Sequence, residues 1–215
     1  MSDVAKELKE AIEWRRWEEV RRLVGEEDGP SSLLNTISRS PIGDCSFFQY
    51  SLEHGCPVSL VKWMVREGGA DPLFIDEYGN TSMHCACQCS KKDEFDNSVK
   101  VVDFLAECGV DAAKKKGHRG KLPSHWAADE GNVPALRRLI EHFGVSADAV
   151  DDNGMTHLHC AADWGSGDAI PYLAVNAQAS IHAKIKVRCL FPIPLFFSLT
   201  SSSASPIITV RRDCS

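Results

Sequence analysis

Gly154-Met-Thr-His-Leu-His-Cys-Ala161 decides the fold, because the same pattern occurs twice earlier in the chain. The earlier copies are Gly79-Asn-Thr-Ser-Met-His-Cys-Ala86 and Gly120-Lys-Leu-Pro-Ser-His-Trp-Ala127. In each copy a histidine follows the glycine by five residues, and an alanine follows the histidine by two. The last two copies are 34 residues apart and the first two are 41 apart. Similarity at such a period indicates a repeat protein whose units pack on one another.

The second half of each unit is an amphipathic segment, and one such segment precedes the first of these copies. Pro134 comes shortly after Asn132, and Pro171 after Asp168, which is typical of a capping residue with proline in the first helical turn. The sequence therefore predicts units made of a short helix, a turn with glycine, a second helix and an extended polar link. The apolar residues that recur at helical spacing are Leu60, Val61, Met64 and Val65, then Val101, Val102, Leu105 and Ala106, then Val133, Leu136, Leu139 and Ile140.

These units resemble ankyrin repeats, whose period is about 33 residues and whose signature is T-P-L-H-x-A. The segment 156–161 lacks only the proline, 122–127 keeps the proline, and 81–86 keeps threonine, histidine and alanine. The resemblance implies an all-α repeat solenoid of stacked helix-turn-helix units with short hairpin links. It also implies that the histidine ties its own turn to the adjacent hairpin. The residues of this structural motif are Gly79, Thr81, His84, Gly120, His125, Gly154, Thr156 and His159.

We expect three regions along the chain. Residues 1–42 form an N-terminal helical cap and linker. Residues 43–184 hold about four ankyrin repeats, of which the first, starting at Gly43, is degenerate and the third carries an insertion at 88–97. Residues 185–215 form an apolar, Ser-rich tail that is disordered or not native.

The composition of the tail supports two hypotheses. Of the 17 residues from 190 to 206, 14 are Phe, Leu, Pro or Ser. The codons of these four residues can all begin with two pyrimidines, as in a translated polypyrimidine tract. One hypothesis is therefore read-through of unspliced sequence in a protein that continues with more repeats. The alternative is a genuine disordered tail.

Length, charge and cysteine content limit the functional class. The chain has 215 residues, 43% of them apolar and 25% charged, which is normal for a globular protein. A net charge of −6 argues against a nucleic-acid or membrane-surface partner. Nine cysteines without a signal-peptide pattern indicate free thiols in a reducing compartment. We expect a cytoplasmic or nuclear monomer with no cofactor.

The stretch Met83-His-Cys-Ala-Cys-Gln-Cys89 suggests a metal site at first sight. On a helix, however, Cys87 points away from Cys85 and Cys89, and no second cysteine pair follows at zinc-finger spacing. We interpret these cysteines as small packed residues and predict no metal. A redox or metal sensor with a low-pKa cysteine, such as Cys89, is the alternative hypothesis. The chain also lacks the hydrolase, phosphate-loop, metalloprotease and kinase signatures, so we expect no enzyme.

Stacked repeats create a concave surface lined by turn tips and first helices, and we expect a protein partner to bind there. The predicted function is a protein–protein interaction module, a scaffold or adaptor. The alternative is the regulatory or targeting arm of a larger multidomain enzyme. Trp164 is either a binding anchor or folded back over its helix. The expected partner-binding residues are Asp76, Glu77, Tyr78, Lys115, Lys116, His118, Arg119, Asp151 and Asp152 at the tips, with Asn153, and Asp129, Glu130, Asp163 and Trp164 on the first helices, with Gln88.

Two further segments have alternative interpretations. The basic tract 114–121 is either a solvated loop or a contact for an acidic partner. The segment Trp14-Arg-Arg-Trp17 belongs either to a capping helix pair or to a calmodulin-type target helix, and its acidic neighbours favour the cap.

Overall fold

A computed structural model describes residues 3–25, 33–35, 37–40, 43–89, 92–109, 112–180, 195–200 and 207–212. The predicted boundary at 184 lies outside these residues, and so do residues 185–194 of the predicted tail.

The chain begins with a pair of helices, α1 (Asp3–Glu13) and α2 (Trp17–Gly25). Leu8 and Ile12 of α1 are fully buried, as is Val24 of α2, because each helix has one apolar face. The polar face of α1 and the Trp14 side chain point into solvent. This pair covers the apolar side of the first repeat unit.

Four helix-turn-helix units follow. The first helices begin at or just after a capping residue, and the second helices follow after a short turn. In the third and fourth pairs the second helix ends in a π-helical turn, and Gly131 and Gly165 end the first helix in the left-handed conformation. The pairs are α3 (Phe47–Glu53) with α4 (Val58–Arg66), α5 (Ser82–Cys87) with α6 (Phe95–Cys108), α7 (Pro123–Glu130) with α8 (Val133–Arg137, extended by Arg138–His142), and α9 (His157–Trp164) with α10 (Ala169–Pro171, extended by Tyr172–Asn176).

The helices form two layers. The inner helices α1, α3, α5, α7 and α9 pack on one another in chain order, and the outer helices α4, α6 and α8 do the same. One continuous hydrophobic core lies between the layers. The predicted solenoid of stacked helix-turn-helix units is confirmed, and contacts run mainly between neighbouring units.

The links between units are hairpins of different lengths. Strand β1 (Ile37–Ser40) pairs antiparallel with β2 (Gly43–Ser46) before the first unit. Later links keep only single bridges, Ile75 to Thr81 and Val150 to Thr156. Short 3-10 turns at Ala112–Lys114 and His118–Gly120 form part of the link before α7, and a third, Lys92–Glu94, lies within the second unit, just before α6.

The tail contains two paired strands where the sequence predicted no regular structure. Strand β3 (Leu195–Thr200) pairs antiparallel with β4 (Ile207–Arg212). Both segments are rich in aromatic and β-branched residues, which favour extended backbone.

The first unit differs in register from the prediction by one residue. Ser46 is the residue that caps α3, and it lies 35 residues before the equivalent Thr81, so Gly43 is not the equivalent of Gly79. The reason is that the capping residue and the side chain three positions later define the start of the helix, whereas the glycine alone does not.

The three cysteines of the segment 83–89, considered above as a possible metal site, are core residues. Cys85, Cys87 and Cys89 are at most 1% exposed, and Cys87 stands at the position that Ala128 fills in the next unit. Burial raises the pKa of the Cys85, Cys87 and Cys160 thiols. These thiols therefore remain protonated at neutral pH and behave as small apolar side chains.

Candidate functional site

Buried histidines join each turn to the next one. His84 Nδ1 accepts a hydrogen bond from the Thr81 amide at 3.0 Å, and its Nε2 donates to the Lys121 carbonyl at 3.0 Å. His125 makes the equivalent pair, from the Leu122 amide at 3.1 Å and to Ala149 at 3.1 Å. Because a carbonyl oxygen only accepts, the proton resides on Nε2 in both rings.

Both imidazoles are held in the neutral form. Burial lowers the pKa of His84 to about 4. Burial and, to a smaller extent, the neighbouring His157 lower the pKa of His125 to about 2. Protonation at Nδ1 would also remove the acceptor of the capping amide.

Two residues that sequence reasoning missed extend this network. Gln49 takes the histidine's place in the first unit: its Oε1 accepts from the Ser46 amide at 3.1 Å, and its Nε2 donates to Phe74 and Asn80 carbonyls at 3.3 Å. His157 is fully buried, accepts from Ser124 Oγ at 2.7 Å and donates to Ala147 at 2.9 Å. Its ring stacks on His125, with centroids 4.1 Å apart. The sequence signal for Gln49 was its position three residues after the capping residue Ser46, the same spacing as that of His84 after Thr81.

Two of the three turns between the described units are capped by an aspartate. In the first turn, Asp76 Oδ1 accepts from the Tyr78 and Asn80 amides at 2.9 and 2.7 Å. In the last turn, Asp151 Oδ1 accepts from the Asn153 and Met155 amides at 2.8 and 2.9 Å.

The central turn, residues 117–121, has Gly117 in place of this aspartate. Asn80 of the preceding unit caps it instead, since Asn80 Oδ1 accepts from the His118 amide at 2.8 Å. A side chain at 117 would collide with Asn80 and His84, so glycine is required there. The backbone therefore places the basic residues of this turn at a fixed position relative to the unit before it.

The structure corrects the prediction for Asp151. Its side chain is 3% exposed and its carboxylate is occupied by backbone amides, so it serves the turn and is not available to a partner. Asp76 has the same bonds and is only partly exposed. Sequence reasoning placed both at the tip correctly but could not show which way the carboxylates point.

The remaining tip residues lie on the surface. Tyr78 is 48% exposed, and its ring makes an edge contact with His118 at 5.3 Å between centroids. Lys116 Nζ lies 3.9 Å from Asp152 Oδ1. Exposed side chains also occur at Glu77, Lys115, Arg119, Asp152, Asn153 and Asp163.

A groove of about 390 Å³ lies between the central turn and the inner helices α5, α7 and α9. It brings together six of the expected contact residues, Lys121 from the basic tract 114–121, and Trp126, which the sequence analysis did not assign to the binding surface. Trp164 is 68% exposed, so of the two interpretations of this residue the structure favours the open one. The residues that line the groove are Gln88, His118, Arg119, Lys121, Trp126, Asp129, Glu130 and Trp164.

Trp126 could have been found from the alignment of the units. It stands at the position of Cys85 and Cys160, where a large ring in the middle unit changes the shape of the inner surface. The ring makes an edge contact with His84, 5.6 Å between centroids.

One ion pair spans the groove. Lys121 Nζ of the central turn contacts Asp129 Oδ2 of α7 at 2.6 Å. Burial raises the pKa of Asp129, although Lys121 opposes the shift, and burial raises that of Glu130. Within the described part of the chain, Asp129 Oδ1 and Gln88 Oε1 are buried and accept no hydrogen bond.

The other predicted contact residues lie outside this groove. The expected contact residues that do not line the groove include Asp76, Glu77, Tyr78, Lys115, Lys116, Asp152 and Asp163. Over the described residues, no group of three His, Cys, Asp or Glu side chains is placed to hold a metal ion.

Residues 93–185 match the family model described as ankyrin repeats in three copies. The chain contains ankyrin repeats. The unit that starts near 43 lies before the matched segment, although its helices stack in the same way. Ankyrin repeats are protein–protein interaction modules, and the family is generally non-catalytic.

Three relatives place these ankyrin repeats in a wider context. The chain is 25% identical over 131 residues to the human transient receptor potential cation channel subfamily A member 1, covering 60% of this chain and 11% of that protein. It is 27% identical over 153 residues to the E3 ubiquitin-protein ligase KEG of Arabidopsis thaliana, covering 69% and 8%. It is 32% identical over 115 residues to the potassium channel AKT3 of Oryza sativa subsp. japonica, covering 51% and 12%. The chain thus matches about a tenth of the length of these relatives. In the described residues, none of the helices has the length and apolar content required to cross a bilayer.

Proposed function

We propose that this ankyrin repeat chain is a non-catalytic interaction module that holds a protein partner in the groove and against the exposed turn residues. The observation that carries the proposal is Trp164, a large aromatic side chain that is 68% exposed and borders a groove of about 390 Å³. Tryptophan is enriched among the residues that dominate interface energies, and a groove allows it to be covered on several sides.

The partner would touch two sets of residues. The groove set supplies the central contacts, and the exposed tips supply a polar rim, as in most protein interfaces. The groove set is His118, Arg119, Asp129, Glu130 and Trp164, and the rim set is Glu77, Tyr78, Lys115, Lys116, Asp152 and Asp163.

The test is capture of proteins from cell extract by the immobilised full chain, followed by mass spectrometry. Trp164→Ala should lose the captured proteins, since removal of a central tryptophan weakens binding by about 2 kcal/mol, or about thirtyfold. A second variant, Lys115→Glu with Arg119→Glu, should change the set of captured proteins.

Trp14→Ala is the matched control, because Trp14 is 73% exposed but lies in the N-terminal pair, away from the groove. It should retain the same proteins as the parent chain. Equal capture by parent and Trp164→Ala, with folding of both verified by circular dichroism, would contradict the proposed surface.

A regulatory or targeting arm in a larger enzyme is the second candidate function. It is supported by the Arabidopsis E3 ligase, of which the matched segment is 8%. The interaction surface would be the same in both cases, and only the location of catalytic activity would differ. Sequencing of complete transcripts that contain the codons of the repeats would distinguish the two candidates.

A further inference from the structure

The groove contains two buried acceptor oxygens that have no hydrogen-bond partner among the described residues. Asp129 Oδ1 and Gln88 Oε1 are both buried, and neither accepts a hydrogen bond from a described residue. The thiol of Cys160 also hydrogen-bonds to the Asp129 carboxylate, but a thiol is a weak donor. Buried acceptors are satisfied in more than nine cases of ten in folded proteins, so Asp129 and Gln88 each keep an acceptor that a water molecule or a ligand donor would satisfy.

The two charged helix residues that line this groove, Asp129 and Glu130, are both acidic. In four successive units, the position seven residues after the residue that caps the inner helix holds Glu53, Gln88, Asp129 and Asp163. Glu130 follows directly after Asp129. The inner helices α3, α5, α7 and α9 contain no Lys or Arg. A donor that approaches the helical wall of the groove is therefore favoured if it is a cation.

The two tryptophans of the groove suit the same ligand. Trp126 and Trp164 both line it, and a tryptophan face attracts an ammonium or guanidinium group. A carboxylate with one free oxygen beside an aromatic face is a common environment for an arginine or lysine side chain.

The opposite wall limits how many cations fit. Arg119, His118 and Lys121 line the groove on the turn side. A polybasic segment would bring its further charges close to these side chains. Charge complementarity therefore selects a segment with one isolated basic residue among neutral or acidic ones.

We propose that the groove binds a single lysine or arginine side chain of an extended, otherwise non-basic segment of a partner protein, between Trp126 and Trp164 and against Asp129. This inference rests on the proposed function and specifies the chemistry of its partner. Lys121 competes with the incoming cation, because its ammonium group already holds Asp129 Oδ2.

The test uses the immobilised full chain and a random linear peptide library, followed by synthetic peptides in fluorescence anisotropy. Enriched peptides should carry one Arg or Lys with no second basic residue nearby. In the synthetic form, replacement of this residue by Gln should weaken binding about tenfold or more, the usual effect of removing a charge-assisted hydrogen bond. Enrichment of peptides without a basic residue, of polybasic peptides, or of none would overturn the inference.

Two variants should shift affinity in opposite directions. Asp129→Asn should weaken binding of the enriched peptide about tenfold or more. Lys121→Met should strengthen it, because it releases Asp129 and because Met155 stands at the equivalent position in the next turn. The controls Asp96→Asn and Lys100→Gln make the same charge changes on the opposite face, at residues of α6, and should leave affinity unchanged.

The outcomes separate this inference from the proposed function. If Trp164→Ala abolishes protein capture but Asp129→Asn and Lys121→Met do not alter it, the proposed interaction module is supported and the proposed basic side-chain ligand is refuted. If neither peptide nor protein binding depends on Trp164, the proposed function fails as well.

Discussion

Substitution of His84 by Gln isolates what one buried histidine contributes to the pH dependence of stability. Glutamine is a fair replacement because Gln49 already makes the equivalent bonds in the first unit, accepting from the capping amide and donating to the next turn. The variant should therefore fold, with a free energy of unfolding at pH 7 about 1 kcal/mol below that of the parent, the scale of one imperfect hydrogen bond.

The pH dependence follows from the difference in pKa. The imidazole takes up a proton near its ordinary pKa of 6.5 in the unfolded chain but only near a pKa of about 4 in the folded chain. Between these values the unfolded state binds more protons, so this stability is present above pH 6.5 and is lost as the pH falls. Linkage gives a loss of about 1.8 kcal/mol between pH 7 and pH 5 for this histidine alone.

The comparison must be a difference between parent and variant. Burial raises the pKa of Glu53 to about 7, and this group acts in the opposite direction, because the folded state then binds the extra proton as the pH falls. Such contributions cancel when both chains are measured at each pH.

Urea denaturation at pH 7 and pH 5, followed by tryptophan fluorescence, measures the effect. The parent should lose about 1.8 kcal/mol more than His84→Gln over this interval, so the variant becomes at least as stable as the parent at pH 5. His142→Gln is the control, since His142 is exposed, and it should lose stability in parallel with the parent. Parallel loss by His84→Gln would show that the buried imidazole is not the proton acceptor that the contacts imply.

Three further predictions concern the scaffold. Gly120→Ala should lower the free energy of unfolding, measured in urea, by about 1–2 kcal/mol. Gly120 has a φ of 69°, and a Cβ there would collide with the Asp152 carboxylate. The control Gly167→Ala should be nearly neutral, because there is open space around Gly167. Ser124→Ala should lower the free energy of unfolding by about 1–3 kcal/mol in the same assay, since it leaves the buried His157 Nε2 without its hydrogen-bond donor. The control Ser59→Ala, at an exposed site, should lower it little. Equal effects of the two substitutions would refute the role of the Ser124–His157 hydrogen bond. In native alkylation with iodoacetamide, mapped by mass spectrometry, Cys108 should react before Cys85, Cys87 and Cys160, because it is half-exposed and they are buried. Burial raises the pKa of all four thiols, so accessibility decides the order, and early labelling of Cys85 would contradict the assigned packing.

The repeated pattern was sufficient to predict the helical units and the packing of the cysteines. Hydrophobic spacing and capping residues act within a few residues of each other, so Thr81, Thr156 and the apolar faces of α6 and α8 can be recognised from the chain alone. The one-residue error at Gly43 arose where the glycine signal and the capping signal disagreed, and the capping residue Ser46 decided the start of the helix.

The tertiary structure alone decided which polar side chains are free. Asp151 and Asp152 are neighbours of the same type, yet one is buried and the other exposed, because the Asp151 carboxylate accepts from the Asn153 and Met155 amides of its own turn. Lys121 and Trp126 join Asp129 in the groove only because the turn and two inner helices meet there. The sequence by itself determined the repeat and its helices, since these depend on local periodicity; the groove, its unsatisfied acceptors and its charge depend on contacts between residues of different units, which local periodicity does not encode.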